Sequence, residues 1–129
     1  MLSYVIIGAS SGIGKQLALQ LSAGGNRVVG TYFKTPPQQL PQEIVMHPLN
    51  VLEENPDFSF LPEKVDGLVY CPGSINLKPF ARITPTDFIN DYALQVVGAV
   101  KVLQATLPKL KQAEQARIVL FSTVAVQLG

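Results

Sequence analysis

The stretch YVIIGASSGIGK, residues 4–15, decides the fold of this chain. It begins as an apolar run typical of a buried strand and turns on three glycines. It then continues with apolar residues at helical spacing, Leu17, Ala18 and Leu21, which form one stripe. The pattern predicts a strand, a glycine-rich turn and a helix, in that order.

Each glycine of this turn meets a steric demand. Gly8 permits a tight turn off the strand, Gly12 lets the backbone approach a pyrophosphate, and Gly14 lets the helix lie close to the strand. The unpaired N–H groups and the dipole of the first helical turn favour a diphosphate, and serine side chains could cap some of these groups. The turn therefore predicts a dinucleotide site, with a ligand-free glycine-rich corner as the alternative. The predicted cofactor-binding residues of the turn are Gly8, Ser10, Ser11, Gly12, Ile13 and Gly14.

Composition excludes several classes of protein. With 129 residues, a net charge of +1, 15% charged residues and no basic run, the chain is expected to be one domain that binds neither nucleic acid nor an anionic membrane. A single cysteine allows no internal disulfide, and the N-terminus lacks a secretory signal, so a cytoplasmic location is expected. No apolar run approaches the ~18 residues of a membrane span.

Further elements follow in alternation along the chain. Strands are predicted over 27–32, over 43–46 just before a loop residue His47, over 65–71 and over 118–121. A long helix is predicted to begin at Pro85 with Thr84 as its cap, and to continue until Pro108 disturbs it. This order predicts a Rossmann-like, doubly wound parallel sheet of five strands in a three-layer α/β/α domain over residues 1–129. Apolar residues lie nearly all round the long helix, so its outer face is expected to meet another helix or subunit.

At this point the chain resembles the N-terminal half of a short-chain dehydrogenase/reductase. Residues 8–14 match that family's cofactor loop, and DGLVYCPG, residues 66–73, falls where the family has Asn-Asn-Ala-Gly. Residues 49–51 resemble the Asp-x-Val element beside the adenine, with Asn50 in place of Asp, and residues 117–123 resemble the strand that ends in Ser-Ser. The resemblance implies further cofactor-binding residues at Asn50, Val51, Cys71, Pro72 and Gly73.

Catalytic positions are also implied by the resemblance. The family's catalytic serine falls on Thr123, with Ser122 as a substitute hydroxyl, and the asparagine of its proton relay falls on Gln95. The family's Tyr-x-x-x-Lys pair, which protonates the substrate carbonyl oxygen, has no counterpart in the 129 residues, so the chain by itself is expected to be inactive. Cys71 is also read as a small buried hydrophobe.

Three functions remain open. The first is an NAD(P)-dependent oxidoreductase acting on a carbonyl or secondary alcohol, the second is a non-catalytic dinucleotide-binding module or inactive fragment, and the third is a fragment that contributes mainly a helix interface. NADP(H) is favoured over NAD(H), because the end of the second strand, with Tyr32 and Lys34, carries no Asp or Glu for the ribose 2′-OH. The resemblance implies a homo-oligomer paired through the helix at about 85–107.

Overall fold

The computed structural model describes residues 1–73, 77–123 and 127. Five parallel strands form one sheet in the order β3-β2-β1-β4-β5. The strands are β1 (Ser3–Ile7), β2 (Arg27–Tyr32), β3 (Val45–Pro48), β4 (Gly67–Tyr70) and β5 (Arg117–Leu120). This order places the chain reversal of a doubly wound sheet between β1 and β4, and it confirms the predicted fold class.

Helices cover both faces of the sheet. Helix α1 (Gly12–Ala23) follows β1, and α2 (Pro85–Tyr92), a π-helical segment (Ala93–Val97) and α3 (Gly98–Leu110) form one long helix before β5. A single 3₁₀ turn (Phe80–Arg82) precedes α2. The result is the predicted three-layer arrangement.

Each face of the sheet has its own hydrophobic core. On one face, Ala18 of α1 packs with Ile6, Val28 and Val69 of the sheet. On the other face, α3 packs against the odd-numbered positions of β1 and the even-numbered positions of β4, where successive strand side chains alternate. The residues of this second core include Val5, Ile7, Leu68, Tyr70, Ala99, Val102 and Leu110.

Three strands have other bounds than predicted: β3 covers residues 45–48 and not 43–46, β4 covers 67–70 and not 65–71, and β5 covers 117–120 and not 118–121. The third strand begins two residues later than predicted, because its register with β2 runs from Val29 opposite Val45 to Tyr32 opposite Pro48. Proline is tolerated at this end of an edge strand, where its missing N–H costs no ladder bond. His47 is therefore a strand residue and not a loop residue, and its ring stacks on that of Phe60 at 5.1 Å.

The long helix also differs from the prediction at both its middle and its end. Pro108 lies inside α3, which continues to Leu110 because that residue is buried in the core and the Val65 N–H donates to the Lys109 carbonyl. At the start, Thr84 caps α2 as predicted. Its side chain accepts from the Asp87 N–H, and the Asp87 carboxylate accepts from the Thr84 N–H.

Candidate functional site

A cavity of about 990 Å³ opens at the C-terminal ends of the central strands, beside the reversal between β1 and β4. This is where ligands bind in doubly wound sheets. The cavity brings together fourteen of the sixteen residues that the sequence nominated, in a single site. They are Gly8, Ser10, Ser11, Gly12, Ile13, Gly14, Tyr32, Asn50, Val51, Cys71, Pro72, Gly73, Gln95 and Ser122.

The glycine-rich turn has the backbone that its sequence requires. Gly8 and Gly12 have φ values of 85° and 57°, which only glycine adopts without strain. A Cβ on Gly14 would lie 2.0 Å from the Gly8 carbonyl oxygen, so the helix could not approach the turn so closely with any side chain there. Helix α1 thus begins at the floor of the cavity, with its N-terminal amides beside it.

Ser11 does not cap α1 with its side chain, as a serine of the turn could have done. It occupies the position before α1 with an extended backbone, yet its side chain makes no capping hydrogen bond in the described structure. The Ser11 carbonyl instead accepts from the Lys15 N–H, as the first bond of the helix. The hydroxyl of Ser11 therefore remains available to a ligand at the cavity wall.

The glycine turn and the start of α1 form one wall of the cavity, and the loop after β3 forms a second. The Leu49 N–H donates to the Tyr32 carbonyl at 2.9 Å, and the Asn50 Oδ1 accepts from the Leu52 N–H at 3.0 Å. The Lys101 ammonium group on α3 donates to the carbonyl oxygens of Val51 and Glu53, at 3.3 and 2.6 Å. Asn50 and Val51 are thereby held in a loop that is tied to the helix layer.

The third wall is formed by the end of β4 and the π-helical segment. The Tyr70 hydroxyl donates to the Leu94 carbonyl at 2.5 Å, and a Cβ on Gly98 would lie 2.5 Å from that hydroxyl. Burial raises the pKa of Tyr70 to about 12. Within the π-helical segment the Gly98 N–H donates five residues back, to the Ala93 carbonyl, and Gln95 lines the cavity. Such segments are rare and occur frequently at functional sites.

Cys71 follows β4 directly. Its N–H donates to the Ile7 carbonyl at 2.8 Å, and its side chain is half-buried beside the cavity. Burial raises the pKa of the Cys71 thiol, which favours the unreactive protonated form. This environment is that of a small packing residue rather than an activated nucleophile.

Two nominated residues lie outside the cavity lining. Lys34 places its ammonium group 5.4 Å from the centre of the Phe33 ring, and Phe33, not Lys34, lines the cavity. Thr123 is exposed just beyond β5, whereas the neighbouring Ser122 lines the cavity. Of the two hydroxyls, the structure thus brings Ser122 to the site.

Sequence reasoning missed several residues that line the cavity. Thr31 belongs to β2 one position before Tyr32, and its buried hydroxyl contacts the glycine turn. The others are apolar: Ile7, Phe33, Leu49, Leu52, Tyr70, Leu94, Ala99, Leu120 and Phe121. Their positions at strand ends were visible in the sequence, but only the packing of α3 shows which of them face the site. In the described ranges no Asp, Glu, Lys or Arg lines the cavity.

Comparison with known proteins bears on this arrangement. The family model described as short chain dehydrogenase matches residues 57–129, more than half of the chain. The chain belongs to the short-chain dehydrogenase family. Its members are oxidoreductases, and the matched range agrees with the resemblance noted at residues 66–73 and 117–123. No curated protein matches the chain in sequence.

Solved structures share its fold. A short-chain dehydrogenase from Streptomyces avermitilis is 22% identical with a TM-score of 0.82, over 99% of this chain and 51% of that one. The ligand-free aldohexose dehydrogenase of Thermoplasma acidophilum is 15% identical with a TM-score of 0.80, over 95% of this chain and 49% of that one. Serine dehydrogenase from Escherichia coli is 18% identical with a TM-score of 0.81, over 96% and 62%. The chain thus spans about half to three fifths of the length of these proteins.

No helix in the part of the chain that the structure describes is long and apolar enough to cross a membrane.

Proposed function

We propose that this chain is the cofactor-binding part of an NAD(P)-dependent oxidoreductase that acts on a carbonyl or a secondary alcohol. The observation that carries the proposal is the glycine-rich turn, which opens α1 into the cavity at the reversal between β1 and β4. A side chain on Gly14 would collide with the Gly8 carbonyl, and one on Gly8 would lie 3.2 Å from the Pro72 nitrogen. The residues present therefore fit a dinucleotide whose pyrophosphate lies against backbone.

Each wall of the cavity would hold one part of the dinucleotide. The amides at the start of α1 would bind the pyrophosphate, supported by the hydroxyls of Ser10 and Ser11. Asn50 and Val51 would lie beside the adenine, and Cys71 to Gly73 beside the nicotinamide ribose. When bound, the nicotinamide supplies or accepts a hydride.

The hydroxyl of Ser122, or of Thr123, would donate a hydrogen bond to the substrate oxygen, and Gln95 would hold a water near it. None of these groups is a good general acid at neutral pH, and no tyrosine in the chain is followed by lysine four residues later. This chain on its own therefore binds and orients, but does not protonate, a carbonyl oxygen.

We favour NADP(H) over NAD(H) on the chemistry of the β2 end. No carboxylate is present there to accept from a ribose 2′-OH or to repel a 2′-phosphate. Lys34 lies over Phe33, which lines the cavity, and its ammonium group would pair with a 2′-phosphate. Tighter binding of NADH than of NADPH at low salt would contradict this preference.

Binding is tested by titrating NADPH and NADH by fluorescence against the wild type and Gly12→Val. We expect Gly12→Val to abolish binding, because valine is strained at a φ of 57° and its side chain would occupy the cavity. Gly25→Val is the matched control. It has a φ of 83° and open space around its Cβ, but it lies in the turn between α1 and β2, away from the cavity. Equal affinity of the wild type and a folded Gly12→Val would sink the assignment.

A non-catalytic dinucleotide-binding module is the second candidate function. Tyr70 and Cys71 stand where the family resemblance implies two asparagines, and the Tyr70 hydroxyl is committed to the Leu94 carbonyl. The segment proposed to lie beside the nicotinamide thus departs from the family's pattern, whereas the glycine turn keeps that pattern. A Tyr-x-x-x-Lys in the downstream coding sequence would favour the oxidoreductase, and its absence would favour the module.

We also propose that a second copy of the chain covers the long helix. Apolar side chains are exposed along α2, the π-helical segment and α3, and they include Phe88, Ile89, Tyr92, Val96, Val100 and Leu107. Large contiguous apolar patches on a protein surface often mark sites of protein–protein contact, which supports this pairing. In sedimentation, Val100→Glu should shift the chain toward monomer, whereas Val45→Glu, at an equally exposed valine on β3, should not. A wild type that sediments as a monomer at high concentration would refute the pairing.

A further inference from the structure

Thr31 joins the second strand to the glycine-rich turn through two hydrogen bonds. The Gly8 N–H donates to the Thr31 Oγ1 at 3.0 Å, and the Ala9 N–H donates to the Thr31 carbonyl at 2.8 Å. Thr31 is only 2% exposed, so water does not compete effectively for either bond. The side chain and the backbone of one residue therefore hold two successive amides of the turn.

A third contact seats the turn on the same strand. The Ala9 methyl group lies over Gly30, where a Cβ would come within 2.7 Å of it. Ala9 is completely buried. Gly8 and Ala9 are consequently both fixed to β2, immediately before the cavity-lining residues 10–14.

This arrangement separates the amides of the turn into two groups. Those of Gly8 and Ala9 are consumed by Thr31, so the amides that can face a pyrophosphate are those from Ser10 onward. Their direction depends on where Gly8 and Ala9 are held. Gly8 has a φ of 85° and no side chain that could restrict its backbone conformation.

We propose that the Thr31 hydroxyl is a positioning residue of the phosphate site. It acts by holding the Gly8 amide, so that the amides at the start of α1 point at the pyrophosphate. The inference rests on the proposed dinucleotide binding and deepens it, since Thr31 itself need not touch the cofactor. It also assigns a role to the one buried polar side chain of β2.

The test compares Thr31→Val, which keeps the shape but loses the acceptor, with Thr31→Ser, which keeps the hydroxyl. Thr106→Val is the matched control, because Thr106 is also fully buried and its hydroxyl donates to the Val102 carbonyl within α3, away from the turn. Two quantities are measured on the 129-residue chain: hydrogen exchange of the Gly8 amide without ligand, and the Kd for NADPH.

Thr31→Val should make hydrogen exchange of the Gly8 amide about tenfold faster and NADPH binding about tenfold weaker. Both are the effect of losing one partly buried hydrogen bond. Thr31→Ser should restore both quantities, and Thr106→Val should lower stability without moving either. In the wild type the Gly8 amide should be protected from exchange, a measurement that needs no variant to fold.

Wild-type NADPH affinity in Thr31→Val, or an unprotected Gly8 amide in the wild type, would overturn the inference while the proposed dinucleotide binding stands. If the wild type protects Gly8 but binds neither NADPH nor NADH, the proposed function fails and the positioning role fails with it. The exchange data and the titrations thus distinguish the two failures.

Discussion

The packed side of the site, formed by β1 and β2 with α1, is covered more completely than the open side, formed by the edge strand β5. Most residues of β1 and β2 are buried, the glycine turn is held by Thr31, and α1 covers one face of these strands. On the side of β5, Ile118, Val119, Leu120 and Phe121 are each between 44% and 55% exposed. The side chains of that strand are therefore only about half covered by the described residues.

This difference in packing coincides with a difference in the proposed roles of the two sides. The packed side holds the residues proposed to bind pyrophosphate and adenine, whose geometry is complete within the described ranges. The open side holds Gln95 and Ser122, the groups proposed to act on substrate. They line the cavity together with Leu120 of the half-covered strand β5. Binding and orientation of a cofactor need only the first side, whereas catalysis needs both.

The largest expected effect follows from this asymmetry: the 129-residue chain should bind NADPH but should not reduce ketones or aldehydes. Charge develops on the carbonyl oxygen during hydride transfer, and general acid catalysis, typically worth ~10²–10⁴-fold, has no tyrosine–lysine pair to supply it here. The assay follows nicotinamide absorbance with a panel of carbonyl compounds.

Controls for that assay are Gly12→Val and Thr123→Ala. Turnover that persists in Gly12→Val would indicate a contaminating enzyme. Turnover that is lost in both variants would show that the open side is catalytically competent, and would break the comparison.

A second, smaller effect compares the stability of the two sides when one methyl group is added to a glycine on each. Gly14→Ala places a Cβ 2.0 Å from the Gly8 carbonyl oxygen, and should lower the free energy of unfolding by about 2 kcal/mol or more despite alanine's better helix propensity. Gly73→Ala adds a Cβ with no atom within 4 Å, so its unfolding free energy should stay near that of the wild type. Urea denaturation measures both, and equal destabilisation would show that the packed side is no tighter than the open one.

The smallest effect concerns Tyr70, where the two sides meet. Its hydroxyl donates to the Leu94 carbonyl, so Tyr70→Phe should reduce the unfolding free energy by about 1 kcal/mol at pH 8. Burial raises the pKa of Tyr70 from 10.0 to about 12, so the folded state favours the protonated form. This stabilisation is fully present below pH 10 and is lost as the pH rises through 12.

The difference between wild type and Tyr70→Phe in urea midpoint should therefore shrink between pH 10 and pH 12. Tyr92→Phe is the control. Tyr92 is 60% exposed on α2, so its substitution should change the urea midpoint little. A difference that stays constant across this pH range would mean that the Tyr70 hydroxyl does not support the π-helical segment.

The sequence by itself determined the elements whose signals are local. Strand β2 has the predicted bounds, Thr84 caps α2 as predicted, and the glycine turn lies between a strand and a helix, because alternation, capping and positive φ depend on neighbouring residues. The parallel order of strands also followed, since right-handed crossovers leave few alternatives. The wall formed by the turn could be nominated from such local signals, whereas Cys71 to Gly73 were nominated by the family resemblance.

Only the tertiary structure decided features that depend on distant contacts. The Thr31 hydroxyl meets Gly8 23 residues away, Tyr70 meets Leu94 24 residues away, and Lys101 meets Val51 50 residues away. The bounds of β3 depend on its register with β2, and the end of α3 depends on docking of Leu110, so neither could be read from a window of sequence. Local periodicity specifies which residues can form an element, while burial and register select which of them do.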